Sequence, residues 1–96
     1  MSVSLSAVVI CRDEESNIEA CLRSLQFCDE RVVVDSGSSD ATVEIASRWA
    51  EHVYQREFFS HAEQKNWAME QTDTDWILIV TKMIVIVDWV LIRLAP

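Results

Sequence analysis

Two apolar rhythms alternate along the chain. The runs Ala7-Val8-Val9-Ile10-Cys11, Val32-Val33-Val34 and Trp76-Ile77-Leu78-Ile79-Val80 are continuous, as expected of strands covered on both faces of a sheet. The first predicts a strand over residues 3–11, left through the polar turn Arg12-Asp13-Glu14-Glu15. Ile18, Leu22 and Leu25 then fall at i, i+4 and i+7, predicting a helix to about residue 26, with Ser16 and Glu19 as its capping box. A second strand is expected over 31–34. Asp40 is expected to N-cap a second helix with Val43, Ala46 and Ala50 inward and Glu44, Ser47 and Arg48 outward. A short strand at 52–54, a loop at 55–60, a helix at 61–71 and the run at 76–80 complete the alternation. This pattern predicts an α/β fold, Rossmann-like, with a mainly parallel sheet of at least four strands and flanking helices.

From Thr81 the rhythm stops. Residues 81–94 contain no turn punctuation and no helix cap, and they read best as one or two extra strands. Residues 76–95 are long enough to cross a bilayer, yet Lys82, Asp88 and Arg93 lie inside them. Each such central charge costs about 2.5–3.5 kcal/mol, which makes spanning the weaker reading. Low charge and high β-propensity would make the segment aggregation-prone if unpaired. The organisation expected is a domain over 1–80 followed by an atypical apolar tail over 81–96.

Ninety-six residues, half of them apolar, suit one small domain with a modest core. Sixteen acidic against eight basic residues give a net charge of −8, which argues against non-specific nucleic-acid binding. An anionic ligand would need a cation or local basic groups. Cys11, Cys21 and Cys28 show neither C-x-x-C spacing nor a metal pattern, and no His is placed to activate a thiol. Reduced thiols and the absence of a basic n-region predict a cytoplasmic chain without a cleaved signal peptide, at the inner membrane face if the tail meets lipid.

The segment from Val32 to Thr42 carries the most chemistry. A β-branched run ends in Asp35, crosses Ser36-Gly37-Ser38-Ser39 and enters a helix after Asp40. Such a turn presents a carboxylate and free N–H groups at the C-terminal edge of a strand, where open parallel sheets bind nucleotides. On residue type alone, Asp35 and Asp40 are equally readable as turn and cap residues. Glu14 and Glu15 are readable as helix-dipole partners and Lys65 as a solvated helix residue. The two His have no spaced metal partners, and the Trp residues at 49, 67 and 76 read mainly as core, Trp67 being the best exception.

Three blocks in order favour the nucleotide-site reading at Asp35 and leave both readings open at Glu14 and Lys65. Ala7 to Glu15, Val34 to Thr42, and Phe59-Ser60-His61-Ala62-Glu63-Gln64-Lys65-Asn66-Trp67-Ala68 followed by Asp75 to Val80 resemble family 2 glycosyltransferases. The nearest likeness is to the bacterial lipopolysaccharide-core glucosyltransferase branch, and it covers about residues 4–80. The resemblance implies the nucleotide-sugar-binding half of a GT-A fold and inverting hexosyl transfer from a UDP-sugar to a lipopolysaccharide or other cell-envelope glycan. It implies that Asp35 accepts from the base N–H, with Ser36 and Gly37 in the pocket wall, Arg12 and Glu14 on the first strand's exit loop, and Lys65 near the diphosphate. In this family a strand like 76–80 runs into Asp-x-Asp, which holds Mg²⁺ or Mn²⁺; here Thr81, Lys82 and Met83 follow instead. A hydroxyl, an ammonium and a thioether do not make a hard-cation site. Neither the family's catalytic base nor its acceptor-binding half has a counterpart before Pro96. The tail reads as translation of sequence never selected to fold, as a shifted reading frame would give, and this chain is expected to be weak or inactive as a transferase. A non-catalytic nucleotide-binding or strand-edge interaction module, self-associating through residues 81–96, is the alternative.

Overall fold

The computed structural model describes residues 3–80 and 89–93. Strand β1 (Leu5–Cys11) leads through helix α1 (Ile18–Ser24) to β2 (Glu30–Asp35). Helix α2 (Thr42–Trp49), strand β3 (His52–Gln55), helix α3 (His61–Glu70), β4 (Trp76–Val80) and β5 (Trp89–Arg93) follow. The five strands form one sheet in the order β3-β2-β1-β4-β5. The first four are mutually parallel, and β5 runs antiparallel along β4. The α/β class and the mainly parallel sheet therefore stand as expected. So does an added strand in the tail; residues 81–88 and 94–96 lie outside the described residues. No helix among the described residues is long and apolar enough to cross a membrane, and two stretches of 76–95 are strands.

Sheet order follows from which face each connection covers. Ala7, Val9 and Cys11 point to one face, where Ile18, Leu22, Leu25 and Ala46 from α1 and α2 bury them. Val8 and Ile10 point to the other, against Val32, Val34, Ile77, Ile79 and Ala68 of α3. Both β1 faces are sealed, which is why its sequence shows no alternation. The chain winds outward from β1 through β2 to β3, then returns across the opposite face to β4. Strand order thus reverses beside β1, and the exits of β1 and β4 flank the crevice that results.

Helix starts differ from expectation in two places. Ser16 does not cap α1; Asn17 occupies the N-cap without a side-chain bond to the helix, and the carbonyl of Glu14 accepts from Asn17 N (3.0 Å) and Ile18 N (2.8 Å). Ala41, not Asp40, is the N-cap residue of α2. Asp40 sits one position earlier, where its carboxylate accepts from the backbone N–H of Thr42 at 3.0 Å, an Asx turn rather than a cap. The Asp40 assignment fails because a loop-to-loop contact, invisible in local sequence, competes for its carboxylate, whose Oδ2 accepts from Glu15 N at 3.3 Å. The inward face of α2 is fully buried at Ala46, with Val43 and Ala50 half-buried. Glu44, Ser47 and Arg48 are exposed as expected.

Candidate functional site

The exits of β1 and β2 are adjacent by register, Cys11 pairing with Asp35. Ser36 N donates to the Cys11 carbonyl at 2.9 Å, prolonging the pairing one residue beyond the strand. After that the two exit loops are laced by side chains. Asp13 N donates to Ser38 Oγ (2.7 Å), and Ser39 N donates back to the Asp13 carboxylate (2.8 Å). Glu14 N donates to Thr42 Oγ1 (2.8 Å), Glu15 N to Asp40 Oδ2 (3.3 Å), and Ala41 N to Glu15 Oε2 (3.1 Å). The acidic run after β1 and the Ser/Asp-rich turn after β2 are therefore tied by bonds that run both ways, backbone N–H groups of each loop donating to side-chain oxygens of the other.

Two residues take left-handed backbone conformations to allow this. Gly37 has φ +101°, and it is the chain's only glycine. Nothing lies within 4 Å of where its Cβ would be, so backbone conformation and not space requires glycine there. Asp13 has φ +51°, tolerated because a short polar side chain can bond locally, as its carboxylate does with Ser39.

Asp35 is fully buried. Its Oδ2 accepts from Gly37 N (3.1 Å) and Ser38 N (2.8 Å), and its Oδ1 accepts from the Ser38 hydroxyl and from the Cys11 thiol at 3.8 Å. An ionised carboxylate offers about four acceptor positions, and here four donors converge on them. In this conformation Asp35 organises the turn and does not reach outward to a ligand. Ser36 and Gly37 open that turn, half-buried and exposed respectively. Glu14 is half-buried and accepts from Asn17 Nδ2 at 3.0 Å. Arg12 is exposed at the rim, 4.0 Å from Asp13. Lys65 is half-buried on α3, directly after a residue that bonds Ser36. Five of the six expected residues thus come from the paired loops, and the sixth from the helix that abuts them.

That abutting residue, Gln64, escapes sequence reasoning, as does Arg56 at the exit of β3. Gln64 Nε2 donates to Ser36 Oγ (3.0 Å), while Arg56 Nη1 donates to Gln64 Oε1 (2.9 Å) and to Glu63 (2.7 Å). The Arg56 guanidinium stacks 4.6 Å over Trp67, which in turn meets Tyr54 edge-on at 5.2 Å. Trp67 is accordingly a packing residue that also shelters a cation. The one local signal was Ser60-His61-Ala62-Glu63, a capping pattern that the structure uses: Ser60 Oγ accepts from Glu63 N at 3.1 Å.

Burial and the Asp35 carboxylate drive the Cys11 thiol far above its ordinary range. Burial, with Glu14, pushes Cys21 to about 11, and burial also raises Cys28. These thiols stay protonated at neutral pH and act as small core groups. Asp40 is shifted the other way: the Thr42 hydroxyl, then the N–H groups of Thr42 and Glu15, hold its carboxyl below the usual range. A depressed folded pKa contributes stability above the unfolded value, about 3.9 for Asp, which is lost as pH falls through the folded one. Urea midpoints measured from pH 6 to 3 are expected to drop less steeply for Asp40→Asn than for the parent chain. Equal slopes would show that Asp40 does not titrate with folding.

Among the described residues no group of three or more His, Cys, Asp or Glu is arranged to hold a metal ion. Asp13, Glu15, Asp35 and Asp40 spend their oxygens on loop donors. Thr81, Lys82 and Met83, which follow β4, lie outside the described residues, and their donor atoms do not suit Mg²⁺ or Mn²⁺.

A mainly parallel sheet with helices on both faces and laced strand-exit loops defines a Rossmann-like α/β domain. The sequence model of glycosyl transferase family 2 matches residues 6–82, and the chain belongs to that family. It is 36% identical over 77 residues to the lipopolysaccharide core biosynthesis glycosyltransferase LpsC of Rhizobium meliloti, matching 75% of this chain and 28% of that protein. A glycosyltransferase of Rickettsia bellii is 34% identical over 79 residues, 81% of this chain and 27% of its own length. The chain therefore spans little more than a quarter of these relatives. In fold it is similar to mannosyl-3-phosphoglycerate synthase from Rubrobacter xylanophilus, with a TM-score of 0.71 at 20% identity over 82% of this chain and 30% of that one. Glucosyl-3-phosphoglycerate synthase from Mycobacterium tuberculosis, solved with UDP, superposes with a TM-score of 0.69 at 23% identity over 88% and 35%. At such identities the likeness is one of fold.

Proposed function

We propose that this chain is the donor-nucleotide half of a glycosyltransferase that moves a hexosyl group from a UDP-sugar to a lipopolysaccharide or other cell-envelope glycan. The observation that carries the reading is the laced pair of loops at the β1 and β2 exits, next to the β1–β4 boundary where strand order reverses. Family membership and LpsC support the transferase class and the envelope acceptor. The mycobacterial synthase, solved with Mn²⁺ and UDP, supports a uridine diphosphate as the ligand.

Transfer with inversion requires an acceptor hydroxyl to attack the anomeric carbon as the bond to UDP breaks, its proton passing to a base. The described residues supply only the nucleotide end. Asp35 fixes the turn, Ser36 and Gly37 form the pocket wall, Arg12 and Glu14 border the nucleoside, and Lys65 lends positive charge toward the diphosphate. A bound divalent cation would balance the leaving diphosphate, but the donors after β4 do not fit one. Nor do the described residues furnish a base for the acceptor hydroxyl, and we assign this chain alone little or no transferase activity. Three free, buried thiols favour a reducing compartment, and we place the chain in the cytoplasm. Residues 81–96 are assigned separately as a tail that contributes β5 and a sheet edge open to self-association or a membrane surface.

Isothermal titration tests the reading directly. UDP should bind the folded 96-residue chain weakly, in the range of about 0.1–1 mM, and uridine should bind less well if Lys65 contributes. A folded sample that takes up no UDP would remove the nucleotide-site reading and leave the strand-edge module as the better account.

A further inference from the structure

We propose that Gln64 is a positioning residue of the nucleotide site, through which helix α3 holds Ser36 and the β2 exit loop in place. The inference rests on the nucleotide-site reading above and deepens it. Gln64 is fully buried, and burying an amide is unfavourable unless both ends are bonded. Both are: Nε2 donates to Ser36 Oγ at 3.0 Å, and Oε1 accepts from Arg56 Nη1 at 2.9 Å. Arg56 is itself fixed, since its backbone N–H donates to the Asp35 carbonyl at 3.0 Å and its guanidinium also bonds Glu63. The bonds close a circuit from Asp35 through Arg56 and Gln64 to Ser36, the neighbour of Asp35. One turn further along α3, Ala68 meets the same face of the sheet with a methyl group alone. Core packing would be satisfied by an apolar residue at 64; the amide is needed for the loop on one side and Arg56 on the other. Because Lys65 follows directly, the contact that seats the loop also sets where that cation stands.

The test uses the full 96-residue chain with Gln64→Met, Ser36→Ala, the double variant and Gln64→Glu. Amide exchange is read by NMR across residues 37–41, whose Gly37, Ser38, Ser39 and Ala41 N–H groups are bonded within the laced loops. Gln64→Met should speed exchange there about fivefold relative to amides in β1 and β2, the equivalent of one net hydrogen bond. It should add less than about twofold on top of Ser36→Ala, because the partner has already gone. Gln64→Glu still accepts from Arg56 and can accept from the Ser36 hydroxyl, so it should return exchange to within about twofold of the parent. The Kd for UDP should follow the same order, about fivefold weaker for Gln64→Met. Uniform loss of protection, or full additivity of the two single variants, would overturn the proposal. Should Gln64→Met not fold, Ser36→Ala alone must produce the loop-specific increase, and an unchanged loop sinks the idea. If the parent binds no UDP, the nucleotide reading fails, while the exchange data still decide whether Gln64 seats the loop.

Discussion

Asp35→Ala is expected to lower the stability of the chain by about 3 kcal/mol, and Asp35→Asn by only about 1 kcal/mol. The difference follows from where the donors lie. Alanine removes the fully buried carboxylate that the N–H groups of Gly37 and Ser38 share as acceptor at 3.1 and 2.8 Å. Asparagine can place its carbonyl oxygen on that pair and its amide NH₂ toward Ser38 Oγ, which can accept as well as donate. What is lost is chiefly the charge assistance. Urea unfolding of the three proteins checks the order, and UDP titration adds a second discrimination. If Asp35 acts through the turn, the Asn variant keeps most of the nucleotide affinity and the Ala variant loses it with the loop. If Asp35 instead contacts the base directly, Asn loses affinity while remaining folded. Equal stability of the Ala variant and the parent would contradict the anchoring role altogether.

The runs at 7–11, 32–34 and 76–80 were legible as strands because both of their faces are covered, which leaves continuous apolar sequence. The inward stripe Ile18, Leu22 and Leu25 was legible because helical spacing repeats over two turns, and all three side chains are fully buried. The beginnings of α1 and α2 were not, for one physical reason. Ser16, Asp40 and the acids at 13–15 are all good local partners for helix N–H groups, and nothing local says which will be used. The parallel pairing of β1 with β2 brings the two loops together and offers Asp13, Glu15 and Asp40 donors across the gap. Asp35 illustrates the same limit within the site. Its position at a strand exit was readable, but its occupation by the turn's own donors depends on the left-handed Gly37. Gln64 and Arg56 were out of reach for a further reason: the β2 exit they bond, at Ser36 and at the Asp35 carbonyl, is remote in sequence and is met only when the chain returns through β3 and α3.

The charge distribution carries a consequence for ligand binding. Five carboxylates line the two exit loops, and apart from the exposed Arg12, 4.0 Å from Asp13, their partners are neutral donors, N–H or hydroxyl. The crevice therefore keeps its negative charge, while Arg56 spends its guanidinium on Glu63 and Gln64. On the proposed reading a diphosphate has only Arg12 and Lys65 to set against that field, so weak affinity is the expected outcome without a divalent cation. Raising ionic strength screens repulsion and attraction alike, so the sign of the salt effect on UDP affinity reports which dominates.

Leu22→Ala is expected to destabilise the chain by about 3 kcal/mol, whereas Phe27→Ala should change stability by less than about 0.5 kcal/mol. Hydrophobicity alone would rank the phenylalanine higher. Leu22 is fully buried between α1 and the sheet face formed by Ala7, Val9 and Cys11, and truncation there leaves a cavity that the close-packed strands cannot collapse into. Phe27 is 67% exposed just beyond α1, so its removal takes little apolar area out of contact. The comparison also bears on the site, because α1 carries the β1 exit loop at its N-terminus. A loss of this size is a large part of the 5–15 kcal/mol typical of a domain, and for a chain this small it sits near the threshold for folding. Urea denaturation followed by tryptophan fluorescence distinguishes the two variants. Comparable losses for both would mean that α1 does not pack on β1 through its Ile18, Leu22 and Leu25 face, and the crevice built on that packing would lose its support.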